Sequence, residues 1–366
     1  MDKIYTSLGL MSGTSMDGVD ASIIQSDGNT EYSIILDRYF GYDNKFRTNL
    51  IKLRSKILYA NDLKLYSREI KEIERELTII HAKIVKEILE EANINIDFIG
   101  FHGQTIFHDS KIKLSKQIGD GKLLSQMTKK TVIYDFRQND IKNGGEGAPL
   151  ASIYHKLIVE SLSKQNKIKL PISILNIGGI ANLTKINKDF TIYSSDIGPG
   201  NCMIDNWIML NSQKKYDDNG DISKSGKIDK FILDQFLFDF FEKKIAKKKS
   251  LDINDFDISF ARGLNLENGA ATITEITAEI LSKKVFENDI YVCGGGRKNN
   301  FLIERLREKI PKFIKNIDLL GIDGNFTESQ AFAYLAIRSF LKLPITYPST
   351  TGCKSPCSGG VIVKNF

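Results

Sequence analysis

Twice in this chain a pair of apolar runs flanks a short glycine-bearing turn. Ile4–Met11 and Val19–Gln25 bracket one polar loop, and Ile172–Ile177 and Ala181–Ile186 bracket Gly178-Gly179. Runs of this length, bounded by Gly, Asp and Asn, read as strands joined in hairpins. A hairpin near the start of each half suits two similar domains facing one another across a cleft, and 366 residues are enough for two domains.

The remaining pattern is that of an α/β chain. Tyr32–Phe40 adds a third strand to the first hairpin. A helix is expected from a cap at Asn61 or Asp62. In it Ile70, Ile73, Leu77, Ile80, Ile84 and Ile88 recur every three or four residues, with Lys71, Glu72, Arg75 and Glu76 on the other side. That apolar face must lie against a sheet. Phe98–Phe101 and Thr131–Phe136 read as buried strands whose C-terminal ends carry loops. In the second half Phe190–Ser194 and Ile290–Val292 read as strands, Phe231–Phe241 as a buried helix, Ala270–Val285 as a helix, and Glu328 to Leu341 as the last helix. The expected domains are an N-terminal α/β lobe over 1–140 and a C-terminal α/β lobe over 141–366, with the C-terminal segment able to return to the first lobe.

Several function classes are excluded at this level. The composition, 42% hydrophobic and 26% charged, is that of a soluble globular protein. Lys+Arg 51 against Asp+Glu 45 gives a net charge of +6. The basic residues are scattered, except for a Lys-rich stretch from Lys243 to Lys249 that reads as a solvated helix end or loop, and nothing demands nucleic acid. No segment has the roughly eighteen apolar residues of a membrane span, and the first strand is too short and polar for a signal peptide, so a cytoplasmic protein without membrane contact is expected. Of the four cysteines, Cys202, Cys293, Cys353 and Cys357, only the last two are near each other. No second pair completes a zinc site, and reduced thiols with no metal are expected.

Chemistry is concentrated at turns. In Gly9-Leu10-Met11-Ser12-Gly13-Thr14-Ser15-Met16-Asp17-Gly18-Val19-Asp20, glycine amides can converge on an anion such as phosphate. Short hydroxyls add donors, and Asp17 or Asp20 could hold Mg²⁺ through water. An ordinary Asp-Gly hairpin is the competing reading, and no Lys stands where a P-loop requires one. Gly178-Gly179 offers amides at the corresponding turn of the second half. Asp196, followed by Gly198-Pro199-Gly200, reads as a general base at a strand end or as the cap of the next helix. Gly294-Gly295-Gly296, between a strand and a helix, leaves room for a flat ring or a phosphate. Gln104 and Thr105 could bond sugar hydroxyls, and Arg137, after Asp135-Phe136, offers a planar fork for a carboxylate or phosphate. His81 and His155 read as packing or surface residues.

In this order and across nearly the whole chain, the stretches GLMSGTSMDGVD, HGQT, DFR, GGEGAPL (Gly144–Leu150), LNIGGIANLT, DIGPGN, CGGGRKN and ESQAFA (from Glu328) resemble the anhydro-N-acetylmuramic acid kinase family. Glu146 departs from the Gln usual there. The resemblance implies a two-lobed actin/hexokinase-like α/β fold with ribonuclease H-like lobes and an interdomain cleft for ATP and sugar. It implies an ATP- and Mg²⁺-dependent reaction in cell-wall sugar recycling. Water opens the anhydro bridge of 1,6-anhydro-N-acetylmuramic acid and O6 takes the γ-phosphoryl group, giving N-acetylmuramic acid 6-phosphate and ADP.

By motif position the resemblance implies that Asp196 activates the water, and an Asp with a reference pKa near 3.9 is ionised at neutral pH. It makes Gly13, Thr14, Ser15, Met16, Asp17, Gly18, Val19 and Asp20 the ATP-phosphate loop, with Gly178, Gly179 and the adenosine-side turn Gly294, Gly295 and Gly296 also on the nucleotide. His102, Gln104, Thr105, Asp135 and Arg137 are the substrate-binding candidates, Arg137 as the partner of the lactyl carboxylate. The alternatives are a kinase of another amino sugar and a non-catalytic sugar- or nucleotide-binding protein of the same fold. The partners expected are the sugar and ATP, with a homodimer as a possible state.

Overall fold

Two sheets carry the fold, and both are strung in the same order. The computed structural model describes residues 3–242, 250–285 and 288–366. In the first sheet β1 (Tyr5–Ser12), β2 (Gly18–Ser26) and β3 (Tyr32–Gly41) form an antiparallel meander. After α1 (Asn44–Lys56), α2 (Asp62–Leu65) and α3 (Ser67–Ala92), β4 (Phe98–Asp109) returns parallel to β1. β5 (Leu114–Ile118) folds back on β4, and α4 (Gly121–Thr128) leads to β6 (Thr131–Tyr134), parallel to β4. Two further helices follow, α5 (Gln138–Lys142) and α6 (Ser152–Lys164).

The second sheet repeats the scheme. β7 (Ile172–Ile177), β8 (Ile180–Ile186) and β9 (Ile192–Pro199) form the meander. Then come α7 (Cys202–Asn211), α8 (Asp221–Ser225), α9 (Lys230–Glu242) and α10 (Leu266–Ser282). β10 (Asp289–Cys293) lies parallel to β7, and α11 (Asn300–Lys309) leads to β11 (Ile314–Asn316), parallel to β10. The chain then supplies α12 (Thr327–Phe340), α13 (Pro348–Thr351) and β12 (Val361–Val363), which pairs with β6. The orders are β12-β6-β4-β1-β2-β3 and β11-β10-β7-β8-β9. In each, a three-strand meander is extended from its first strand by two parallel strands. This is the ribonuclease H-like order, present twice as in the actin/hexokinase-like class.

The compact units are Met1–Ile168 with Phe326–Phe366, and Lys169–Asn325. The division expected at 140 therefore falls later, because α6 packs on α12 and Tyr154 donates its hydroxyl to Gln330 Oε1 at 3.0 Å.

Helix α12 shows how closely the first unit is built. It is buried along almost its whole length against β1, β2 and β4. Gly9 and Gly100 stand opposite each other in neighbouring strands. A side-chain carbon on Gly9 would lie 1.9 Å from Ser329 O, and one on Gly100 2.2 Å from Phe332 O. Only glycine on both strands lets a helix backbone settle there. Gly9, at the head of the motif loop, is thus a packing residue. Long α3 covers the sheet with Ile70, Ile73, Leu77, Ile84 and Ile88 buried as expected, while Ile80 is only partly buried and His81 is buried beside it; the helix ends on left-handed Asn93. It starts at Ser67 rather than at Asn61 or Asp62, which belong to the separate turn of α2.

Three expectations are corrected. α9 is not a buried helix: Phe240 is its one fully buried residue, while Phe231 and Phe238 are 81% and 66% exposed, because its aromatics point to several sides at once. Phe190 sits in a left-handed turn, and β9 runs from Ile192 to Pro199, which puts Asp196 inside a strand. That residue does not cap the next helix, whose cap position is Asn201. The Lys-rich stretch 243–249 lies outside the described residues. No helix among the described residues is long and apolar enough to cross a membrane.

Candidate active site

Parallel strands of an open α/β sheet present their loops at the C-terminal ends, where such sheets bind ligands. In the first unit β1 ends at Ser12 and runs into the turn at Gly13, Thr14 and Ser15, of which Thr14 and Ser15 are exposed. A side-chain carbon on Gly13 would meet nothing nearer than Ser15 Oγ at 3.9 Å, so the space over this turn is open. The turn is held from beneath. Gln104 Nε2 donates to Gly13 O at 3.1 Å, Ser12 Oγ donates to Gln104 Oε1 at 2.6 Å, and Tyr42 OH donates to Ser12 Oγ at 2.9 Å. Gln104 is 0% exposed, so its amide fixes the turn and does not reach a sugar hydroxyl. Thr105 Oγ1 accepts from Gln117 Nε2 at 3.1 Å.

The stretch from Gly13 to Asp20 divides in two. Met16 and Val19 are buried in the core, and Met16 N donates to Gly13 O. Gly18 is needed because a side chain there would strike Phe40 O at 2.4 Å and the Tyr39 ring. These three face inward and offer no side chain to a ligand. Gly13, Thr14 and Ser15 remain as an exposed donor turn. Asp17 and Asp20 are partly exposed carboxylates, Asp17 accepting from Ser15 Oγ.

His102 within β4 and Asp135 and Arg137 just after β6 come together. His102 Nδ1 donates to Gly103 O at 2.8 Å, leaving Nε2 to accept from Arg137 NH2 at 2.9 Å. Burial, and then the Arg137 charge, push the His102 pKa down to about 3, so the ring is neutral. Arg137 NH1 donates to Gly147 O at 2.6 Å. Asp135 adopts a left-handed backbone (φ 58), and burial raises its carboxyl pKa against the opposing charges of Lys116 and Lys142. Asp135 and His102 line a cavity of about 510 Å³ together with Lys116, Gln117, Asp120 and Lys142. Such a polar, mixed-charge cavity offers donors and acceptors to a hydroxylated ligand.

In the second unit three turns converge at the ends of β7, β9 and β10. Gly178 O accepts from Asn201 N at 2.7 Å, and Gly179 O accepts from Gly200 N at 2.9 Å. A side chain on Gly200 would sit 2.1 Å from Gly178 O. Gly294 has φ +78, and a side-chain carbon there would lie 2.3 Å from Asn176 Oδ1; on Gly296 one would strike Ile177. These are close-packing glycines. Gly178 and Gly295 look instead onto space, with nothing nearer than Ile180 O at 3.5 Å and Asn201 Nδ2 at 3.7 Å. Buried Arg297 locks the last turn, donating to Gly294 O at 3.1 Å while its other nitrogens bind Asp318 and Asp323, each at 3.0 Å. Asn176, Asn201 and Arg297 each flank a glycine turn, and local sequence does not mark them because Asn201 N bonds Gly178 O, Asn176 faces Gly294, and Arg297 pairs with Asp318 and Asp323.

Asp196 is 9% exposed, and its Oδ2 accepts from Leu251 N at 2.8 Å. This contact orients the carboxylate from the 250–251 segment, which no local pattern around residue 196 could reveal. Within the first unit, an exposed turn of small donors with carboxylates at Asp17 and Asp20 suits phosphate and a divalent cation in kind; within the second, Gly178 and Gly295 leave backbone open to a ligand.

Residues 5–365 match the family model described as anhydro-N-acetylmuramic acid kinase. Curated relatives of that description include one from Pelagibacter ubique, 52% identical over 100% of both chains, and one from Brucella canis, 37% identical over 100% of both. Among solved structures, the Acidaminococcus fermentans (R)-2-hydroxyglutaryl-CoA dehydratase component A overlaps with a TM-score of 0.45 at 12% identity, covering 92% of this chain and 100% of that one.

Proposed function

Because the chain belongs to the anhydro-N-acetylmuramic acid kinase family, we propose how its own residues divide the work of that reaction. The enzyme is an ATP-dependent kinase that hydrolytically opens 1,6-anhydro-N-acetylmuramic acid and phosphorylates O6, yielding N-acetylmuramic acid 6-phosphate and ADP. Asp196 takes a proton from water as the water oxygen bonds to C1. The C1–O6 bond breaks, and O6 forms its new bond to the γ-phosphorus as the bond from that phosphorus to the β,γ-bridging oxygen breaks and ADP leaves; the proton on Asp196 then passes to solvent. A positioned base of this kind contributes about 10²–10⁴-fold. Leu251 N holds the carboxylate in one orientation while it does so.

In the first unit the amides and hydroxyls of Gly13, Thr14 and Ser15 serve the phosphates; in the second the open backbone at Gly178 and Gly295 serves the nucleotide. Phosphoryl transfer asks mainly for such positioning and charge neutralisation. Mg²⁺, when bound with the nucleotide, supplies further neutralisation, and Asp17 and Asp20 are the carboxylates suited to hold it through water. His102, Asp135 and Arg137 serve the sugar, Arg137 as the cationic partner of the lactyl carboxylate. Sugar and ATP are the partners, the compartment is the cytoplasm, nucleic acid and membrane play no part, and a homodimer is a possible state.

Two observations carry this division: in the first unit, an exposed donor turn where β1 ends, and in the second, a buried aspartate within β9 whose carboxylate accepts from Leu251 N. Incubation with ATP, Mg²⁺ and the anhydro sugar in ¹⁸O-water tests it. ADP formed only with the anhydro form, with label at C1 of the product, is expected. ADP only with reducing amino sugars selects a different kinase, and none at all selects a binding protein.

A further inference from the structure

The two neighbouring cysteines acquire in the fold a partner that the sequence does not place near them. Cys353 and Cys357 follow α13, and Asp140 lies in α5, 217 positions before Cys357. Asp140 Oδ1 and the two Sγ atoms all lie within 4.8 Å of one another, with Cys357 Sγ 3.9 Å from Asp140 Oδ1, and all three residues are buried. The Thr346 hydroxyl stands 3.0 Å from Cys357 Sγ and 3.9 Å from Cys353 Sγ.

A tetrahedral zinc ion, with bonds of about 2.3 Å to sulfur and about 2.0–2.2 Å to oxygen, keeps its ligand atoms roughly 3.5–3.8 Å apart. The separations here differ from that by adjustments that rotamers can absorb. Two thiolates and a carboxylate are a donor set for zinc rather than for Mg²⁺ or Ca²⁺, which prefer oxygen throughout. The carboxylate is also oriented as metal ligands usually are: Thr351 Oγ1 donates to Oδ1 at 2.6 Å and Gly147 N donates to Oδ2 at 2.7 Å.

We propose that Asp140, Cys353 and Cys357 bind one zinc-class divalent cation, with the Thr346 hydroxyl or a water at the fourth corner. Binding releases the proton of each thiol as the two metal–sulfur bonds form. The ion ties the segment after α13 to α5 and, through the bond from Gly147 N to Asp140, steadies the loop Gly144–Leu150. That loop also holds Arg137, since Gly147 accepts from its guanidinium while donating to Asp140. The site is structural and separate from Asp196.

The test uses the full chain, reduced and stripped with a chelator, then titrated with Zn²⁺ or Co²⁺. About one equivalent of Zn²⁺ should be retained through gel filtration, and the melting temperature should rise. Co²⁺ should produce a near-ultraviolet thiolate charge-transfer band and the intense visible bands of a four-coordinate ion. Cys357→Ser should weaken Zn²⁺ binding by more than about 100-fold, beyond what loss of an outer hydrogen bond costs. Should that variant fail to fold, the cobalt spectrum of the unaltered chain decides alone. A cobalt complex without the thiolate band, or zinc that washes away from the unaltered chain, overturns the site.

Discussion

Arg137 donates to Nε2 of His102 at 2.9 Å, so a neutral, buried imidazole accepts from a cation and both are held in one orientation. The second arm of the guanidinium is held by Gly147 O. Arg137 is therefore held in a fixed pose, with the cost of ordering its side chain already met by the fold.

Replacing Arg137 with Met should raise the KM for the anhydro sugar about tenfold or more, the worth of a charge-assisted hydrogen bond, and leave the KM for ATP within about twofold. Steady-state kinetics with each substrate varied in turn measures this. Equal effects on both substrates, or none, would remove Arg137 from the sugar site.

Asp196→Asn should keep its hydrogen bond from Leu251 N and still bind ATP, yet lose about 10²–10⁴-fold in kcat. Nucleotide titration calorimetry and single-turnover assays separate the two properties. A variant that turns over normally would refute Asp196 as the base.

Gln104→Leu removes the donor to Gly13 O and the acceptor of Ser12 Oγ at a fully buried position. Leaving such groups without partners costs about 1–3 kcal/mol. We expect a matching loss of stability in urea and a raised KM for ATP, because the donor turn loses its support. Weakened sugar binding with ATP binding intact would instead return Gln104 to the sugar.

Three buried histidines make stability depend on pH. Burial pushes His81 and His155 down to about 4 and His102 down to about 3. Their folded pKa values lie below the unfolded value near 6.5, so the unfolded chain takes up protons first as pH falls. The stabilisation is complete above about pH 6.5 and is lost progressively toward pH 4. At pH 5 the loss should be on the order of 1–2 kcal/mol per histidine. Urea midpoints at pH 7, 6 and 5 measure it, and a flat profile would mean that these rings titrate in the fold as they do in the unfolded chain.

The periodicity of α3, the two opening hairpins and the glycine turns are legible in the sequence, because each depends on neighbours within a few residues. Gly9 and Gly18 read like members of a ligand loop, since a glycine written in a line does not reveal what approaches it. One faces the backbone of Ser329 and the other the Tyr39 ring. The aromatic run of α9 likewise states its hydrophobicity but not that Phe231 and Phe238 face outward.

Sequence alone determined the kind of chemistry available, through an aspartate before Gly-Pro-Gly, a Ser/Thr/Gly turn and an arginine at a strand end, all local properties of a few adjacent residues. The tertiary structure decided which of these groups is spent on holding another: Gln104 on Gly13, Leu251 N on Asp196, Arg297 on Gly294. It also set Asp140 beside Cys353 and Cys357. The reason is physical. A hydrogen bond or a coordination sphere is fixed by distances of a few ångströms in space, and chain folding brings residues to those distances from any separation along the sequence.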